Sequence, residues 1–349
     1  MSQLSSPFRH NCDNFAREGW GLGVGGWAFG RSGELEVGGT VPWMLTLVTG
    51  GAGFIGSNLA DELLAQGHEV RIIDDLSTGS ALNLPGDAAF FEGSITDGEL
   101  LEQAMDGVEV VFHQAALGSV ARSVEAPLVS DDVNTHGTLT VLDAANRLGV
   151  RRVVQASSSS VYGGADVRPT PETQPLMPRS PYAVTKMVGE HYARVYAELY
   201  GLETVALRYF NVYGPRQSPD SAYAAVIPLF IAALRKGESL EIHGDGLQSR
   251  DFAYVGDVVA ANIAAAQAPA ATVSGRAYNI AGGHERSLLD LLEIVQGLLG
   301  VGTTAVHVGP RAGDVRHSSA DLSAARADLG YDPKVSFEDG LALTIDHFA

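Results

Sequence analysis

Tyr182 and Lys186 stand four positions apart in "PYAVTK". That spacing puts both side chains on one face of a helix. A free tyrosine titrates near ~10, too high for a base at neutral pH. An ammonium beside it, and a cationic ring nearby, would favour the phenolate and bring the group toward general-base work. Taken alone, a Tyr–Lys pair at this spacing is usually a helix-surface contact. Its context decides. In "QASSSSVYGG" four serines, Ser157 to Ser160, end 22 residues before Tyr182. Such a run is either a solvated linker or a strand end presenting hydroxyls.

A second stretch, "TGGAGFIG", places Gly50, Gly53 and Gly56 between an apolar run and a helical pattern. Glycines let a backbone turn tightly and approach a pyrophosphate. The helix start behind them offers free N–H groups and a favourable dipole. A glycine-rich string alone is weak evidence, but the required strand before, helix after and acidic residue next are all present. That acid is Asp74, closing "VRIID". A carboxylate there can bond both ribose hydroxyls and would repel a 2′-phosphate, which favours NAD over NADP. An oxidised nicotinamide would supply the cationic ring that Tyr182 needs.

These groups need a scaffold at whose edge they converge. "LTLVTG", "EVRIID", "VEVVFHQAA", "RRVVQASSSS" and "ETVALRYF" read as strands. Between them lie helical stretches at "IGSNLADELLAQG", around 127–148 and from Tyr182 to Tyr200, with a Pro-rich loop at 169–181. Apolar strands alternating with helices predict a doubly wound α/β fold, a parallel sheet covered on both faces. After Asn211 the texture changes: a helix at 224–235, a strand at "LEIHG", a helix and strand at "GDVVAANIAAAQ" and "AYNIAG", then an irregular last third with one helix at 287–299. The expected division is 44–210 with 257–282 as the Rossmann-type dinucleotide domain, and 211–256 with 283–349 as a smaller substrate domain.

The bulk numbers narrow the partners. Lys+Arg is 23 against 41 Asp+Glu, a net charge of −18. A surface that acidic argues against nonspecific nucleic-acid or anionic-membrane binding. An anionic small ligand would need locally placed arginines. Cys12 is the single cysteine, which excludes an intrachain disulfide and fits a reducing, cytoplasmic setting. No run of about 18 apolar residues predicts a membrane-spanning helix. Residues 1–43 hold all three tryptophans and nine of the 41 glycines without periodicity. They read as a poorly ordered extension with Met44 as a working start; a functional arm is the alternative.

In combination, "TGGAGFIG", "SSSSVYG", "PYAVTK", "RYFNVYGP" and "SRDFAYVGDV" resemble the extended short-chain dehydrogenase/reductases, specifically the nucleotide-sugar epimerases and dehydratases. The resemblance runs from Met44 to the end. It implies a catalytic Ser158, Tyr182 and Lys186. It also implies cofactor contacts at Phe54, Ile55, Asp75, Ser77, Thr78, Gly79, Ser94, Ile95, Gln114, Ala115 and Asn134. Ser94 departs from the family's usual Asp at the adenine amino group, although a serine oxygen still accepts. Relatives pair the helices around 127–148 and 182–200 across a two-fold axis, which implies a homodimer.

The resemblance also bears on the reaction. The 4,6-dehydratases carry Asp-Glu after the catalytic Ser/Thr; this chain has Ser159 and Ser160. Decarboxylases of nucleotide-linked glucuronate usually have an acid just before "VYG", where Ser160 stands. What remains resembles the 4-epimerases. There the tyrosine takes the 4-OH proton, the serine bonds the same oxygen, the C4 hydride passes to NAD, and the 4-keto sugar turns over before the hydride returns. Asn211, Arg250 and Arg311 match diphosphate-side contacts, Val226 the uracil pocket and Asp314 a ribose contact. Ser318 falls where glucose-restricted epimerases have a tyrosine, so an N-acetyl group is admissible. The expectation is a UDP-hexose 4-epimerase accepting UDP-N-acetylglucosamine or UDP-glucose. A UDP-glucuronate epimerase or decarboxylase, and a non-catalytic NAD-binding regulator, are the alternatives.

Overall fold

The computed structural model describes residues 43–165, 167–219, 225–309 and 315–348. The chain opens with β1 (Leu45–Thr49), every residue of which is buried. It continues through α1 (Phe54–Ala65), β2 (Glu69–Asp74), β3 (Ala89–Glu92), α2 (Gly98–Met105) and β4 (Val110–His113). Next come α3 (Val120–Glu125), α4 (Pro127–Asp131), a π-helical turn (Asp132–His136) and α5 (Gly137–Arg147). Then β5 (Arg152–Ser158) runs into a 3₁₀ turn (Ser159–Tyr162), followed by α6 (Pro181–Tyr200) and β6 (Glu203–Tyr209).

The second half holds β7 (Val212–Tyr213), α7 (Val226–Lys236), β8 (Leu240–His243), β9 (Ser249–Asp251) and β10 (Ala253–Tyr254). It continues with α8 (Val255–Gln267), α9 (Ala270–Val273), β11 (Arg276–Ile280), β12 (Glu285–Ser287) and α10 (Leu288–Leu299). The last elements are β13 (Ala305–Val308), α11 (Ser323–Leu329) and α12 (Phe337–His347).

The central sheet has seven strands in the order β11-β6-β5-β4-β1-β2-β3. All its pairings are parallel. Parallel strands point their C-terminal ends the same way, so Thr49, Asp74, His113, Ser158 and Tyr209 emerge at one edge. That edge, outside the strand carboxyl ends, is where open α/β sheets place ligands. Separate apolar clusters cover the two faces: Leu59, Leu63 and Val258 lie in one, Leu101, Val141 and Tyr196 in the other. A third cluster, built on Phe230, Ile231, Leu291 and Leu341, forms the core of the smaller region.

Several differences from the sequence reading have local causes. The edge strand β3 is half-exposed, so "AFFE" carries no fully apolar run. The helix expected at 127–148 is broken by the π turn, which adds a residue to the spiral and buries Asn134. The last third is more regular than expected, holding α11 and α12 as well as α10. By contrast α6 follows its local signals: Ser180 caps Ala183 N–H, Pro181 sits in the first turn, and Gly201 (φ 75°) ends the helix. At the opposite edge of the sheet, buried Arg152 donates to the carbonyls of Ala265, Ala266 and Ala268, tying the C-terminus of α8 to β5.

Candidate active site

The strand ends enclose a cavity of about 490 Å³. Its wall brings together Gly50, Gly53, Phe54, Ile55, Gly56, Asp74, Asp75, Ser77, Thr78, Ser94, Ile95, Gln114, Ala115, Ser158, Tyr182, Lys186 and Asn211. The glycine loop is as tight as its sequence suggests. Gly50 has φ 71°, and a Cβ there would lie 2.7 Å from the Ala115 backbone. A Cβ on Gly56 would lie 2.2 Å from the Gly50 carbonyl oxygen. The cradle therefore requires bare backbone. It leads into the first turn of α1, whose N–H groups have no intrahelical acceptor.

At the end of β2, Asp74 accepts from Ala52 N–H (3.0 Å) and Leu76 N–H (2.8 Å). Burial pushes its carboxyl up, while those two donors hold it down. Asp75 accepts from the Ser77 amide and hydroxyl. Gly79 sits so close to Ala52 that a Cβ would come within 2.8 Å of its carbonyl carbon. Ser94 is engaged locally with Thr96. Asn134 lies off the cavity wall: it accepts from Leu117 N–H and donates to Leu117 C=O and Thr185 Oγ1, so it shapes the loop after β4. The start of that loop is held by His113, bonded between Thr49 Oγ1 (2.8 Å) and Thr138 Oγ1 (2.9 Å). Burial, with the Lys186 charge nearby, pushes the imidazole down to about 3, so it is neutral at pH 7.

The residues expected to do acid–base work meet where β5 ends against α6. Lys186 donates to the Ala156 carbonyl at 2.8 Å, with its Nζ 5.9 Å from the centre of the Tyr182 ring. Burial lowers Lys186 to about 8. Tyr182 is pushed up by burial and pulled back by a hydrogen bond with Ser158. The expected depression of the phenol is therefore not produced by the protein groups alone. Ser158 Oγ accepts from the Ser160 amide (3.1 Å) and the Ser160 hydroxyl (2.9 Å). Both acceptor positions of Ser158 are thus occupied from behind, and its own proton is free to point at Tyr182 and the cavity.

The remaining expected residues lie elsewhere. Val226 begins α7 against the third apolar cluster. Arg250, on β9, donates to the Ser249 carbonyl, and Ser318 N–H donates to the same carbonyl. Neither they nor Val226 lines the cavity, and Arg311 and Asp314 fall outside the described residues. The wall also includes Ser119, Arg122 and Gln217, which the sequence did not point to, and Ser157, which carried no expected role beyond strand packing. Arg122 carried a faint signal: a cation just after a strand end in a strongly acidic chain.

A glycine cradle, an acid at the end of the second strand and a Ser–Tyr–Lys constellation on a doubly wound sheet define a dinucleotide-dependent site for oxidising and reducing an alcohol carbon. Residues 46–281 match the family model described as the NAD dependent epimerase/dehydratase family. The UDP-glucose 4-epimerase of Mycolicibacterium smegmatis is 41% identical over 312 residues, 87% of this chain and 98% of that protein. The crystal structure of UDP-glucose 4-epimerase with UDP-glucose from Thermotoga maritima superposes with a TM-score of 0.84 at 40% identity, covering 87% of this chain and 98% of that one. The UDP-N-acetylglucosamine 4-epimerase of Methanobrevibacter ruminantium, in complex with UDP-N-acetylmuramic acid, gives 0.84 at 38% identity over 88% and 99%. The chain belongs to the NAD dependent epimerase/dehydratase family and is an NAD-using epimerase. Among its described residues no helix is long and apolar enough to cross a membrane.

Proposed function

We propose that the enzyme interconverts UDP-hexoses at C4, accepting N-acetylated sugars. The observation carrying this is the makeup of the cavity wall. Among the described residues its carboxylates are Asp74 and Asp75, at the β2 end, whereas the positions after Ser158 are Ser159 and Ser160 in the 3₁₀ turn. An elimination at C6 would need an acid beside the reacting sugar, and none of the described lining residues next to Ser158 supplies one. The names of the relatives, for UDP-glucose and UDP-N-acetylglucosamine, support the same class.

In this reading Tyr182 removes the proton from the sugar 4-oxygen and later restores it. Ser158, its acceptor positions filled by Ser160, donates to that oxygen and fixes its place. Lys186 holds the ribose side and keeps positive charge near the phenolate. The glycine cradle and Asp74 would hold NAD, which would supply a hydride acceptor and donor for the sugar C4. Holding the partners in register supplies much of the rate.

The substrate side is part of the proposal. Residues 44–210 with 257–282 carry the cofactor, while 211–256 and 283–349 carry the nucleotide sugar. Asn211, Arg250 and Arg311 are assigned to the diphosphate, Val226 to the uracil, Asp314 to the ribose and Ser318 to the sugar C2, on their match to the family motifs. The separate apolar core of the smaller region supports that division. A homodimer through the helices at 127–148 and 182–200 is supported by Leu128, Val129 and Val184, all exposed.

The test is product analysis with UDP-N-acetylglucosamine, UDP-glucose and UDP-glucuronate. Conversion of the first two to their 4-epimers is expected, and Ser318→Tyr should suppress the N-acetylated substrate selectively. A 4,6-dehydrated or decarboxylated product, or full turnover by Tyr182→Phe, would overturn the reading. Equal loss on both hexoses in Ser318→Tyr would remove the specificity assignment.

A further inference from the structure

The last residues of β5 each engage α6. The Ala156 carbonyl holds Lys186, Ser158 bonds Tyr182, and between them Ser157 Oγ donates to Glu190 Oε1 at 2.5 Å. Tyr182, Lys186 and Glu190 follow one another at four-residue spacing, so they form one stripe on the helix. Glu190 is buried and is gripped from β6 as well: Arg208 donates to Oε1 from Nε (2.9 Å) and to Oε2 from Nη2 (2.7 Å). Arg208 also donates to the Tyr162 hydroxyl (2.8 Å), which in turn donates to Asn279 on β11 (2.7 Å). A bidentate pair of this kind has little rotational freedom.

Burying such a pair is costly and by itself weak evidence for stability. A single hydrophobic contact could hold a helix to a sheet. What the pair does that a hydrophobic contact would not is place a fixed negative charge one helical turn behind the Lys186 ammonium. We infer that Glu190, locked by Ser157 and Arg208, is a positioning residue for the Ser158–Tyr182–Lys186 site, fixing α6 in register with β5 and keeping a counter-charge beside Lys186. The inference rests on the assignment of Tyr182 and Lys186 as the acid–base pair.

The groups facing Lys186 bear this out. Around Lys186 lie the Tyr182 ring and Glu190 from α6, the Ala156 carbonyl from β5 and the neutral His113 from β4; Ser157, Ser158 and Tyr209 line the same cavity, and Arg208 acts through its bonds to Glu190. Glu190 is the acidic one among them, and its charge holds Lys186 up against the effect of burial. Arg208 grips both carboxylate oxygens of Glu190 and so fixes where that charge sits.

The test compares Glu190→Gln, Ser157→Ala and Tyr182→Phe with the wild type, in the complete enzyme. Glu190→Gln keeps the shape and removes the charge. Its kcat should fall about 10- to 100-fold with KM changed less than about threefold. The descending limb of its kcat–pH profile should move to lower pH, because Lys186 loses its counter-charge. Ser157→Ala loosens the register and keeps the charge, so kcat should fall about 3- to 10-fold with the pH limbs unmoved. A second readout needs no cofactor. In the apoprotein the rise of thermal stability above pH 8 that accompanies Lys186 deprotonation should begin at lower pH in Glu190→Gln. If both variants lose only thermal stability, with kcat and both pH dependences as in the wild type, the inference is wrong. If Tyr182→Phe stays active, the acid–base reading itself fails, a distinct outcome. Should Glu190→Gln not fold, Ser157→Ala alone decides: an unchanged kcat sinks the positioning role.

Discussion

Lys186 sets catalysis against stability, and replacing it by methionine exposes the conflict. Burial takes its ammonium from an ordinary 10.5 to about 8. At ~1.4 kcal/mol per tenfold change, that sets a ceiling of roughly 3 kcal/mol on the cost of keeping it charged in the folded protein. Lys186 lines an open cavity, where solvent screens part of this, so about 2 kcal/mol is the better figure. Methionine abandons the bond to the Ala156 carbonyl, which costs about 1 kcal/mol. The apoprotein of Lys186→Met should therefore be more stable than wild type at pH 7 by about 1 kcal/mol, a rise of about 2 °C in Tm.

The pH dependence is the sharper signature. Between about 8 and 10.5 the unfolded chain binds more protons at Lys186 than the folded one, so wild-type stability gains with rising pH. The methionine variant has no such gain. Its advantage should be full below pH 8 and fade toward pH 10.5, while its epimerase turnover falls at least about 100-fold. Calorimetric melts of both apoproteins from pH 6 to 10 measure this directly. A variant less stable than wild type at pH 7, or a gap that does not change between pH 7 and 10, would refute the argument.

Two further outcomes follow from the geometry. Gly56→Ala forces a methyl to within 2.2 Å of the Gly50 carbonyl oxygen unless the loop moves by about 1 Å, so NAD affinity in a calorimetric titration should drop about 100-fold. Unchanged affinity would mean that the cradle does not hold the pyrophosphate. Ser160→Ala removes one of the two bonds that orient Ser158, and should cut kcat about 3- to 10-fold at constant KM; a wild-type kcat would show that Ser160 leaves Ser158 unaffected.

What was legible in the sequence depended on whether its cause was local. The cap, first-turn proline and terminal glycine of α6 are neighbours in the chain, and so are the glycines of the cradle. They could be read from spacing alone. The seven-strand sheet followed from fully apolar strands, except β3, whose edge position leaves it half-exposed. Ser157 is the instructive miss. It reads as strand packing because its partner, Glu190, lies 33 residues away, and Glu190 is explained only by Arg208 from another strand. Ser160 likewise is more than a missing acid: its hydroxyl orients Ser158. The π turn is invisible to a 3.6-residue period, and the Asn134 it buries bonds Leu117 in the loop after β4 and does not line the cavity.

The strand order also dictates when this protein can finish folding. β11 is the outer neighbour of β6, yet residues 210–275 separate them, including β7 through α9. Until residues 276–280 leave the ribosome, β6 has an open edge, and Tyr162 lacks its Asn279 partner. An open parallel edge is a template for wrong pairing, and distant pairings form late. Nascent chains stalled before Arg276 should therefore depend on chaperones. The region that carries the nucleotide sugar in our reading is synthesised inside that interval, so the cofactor half cannot close without it.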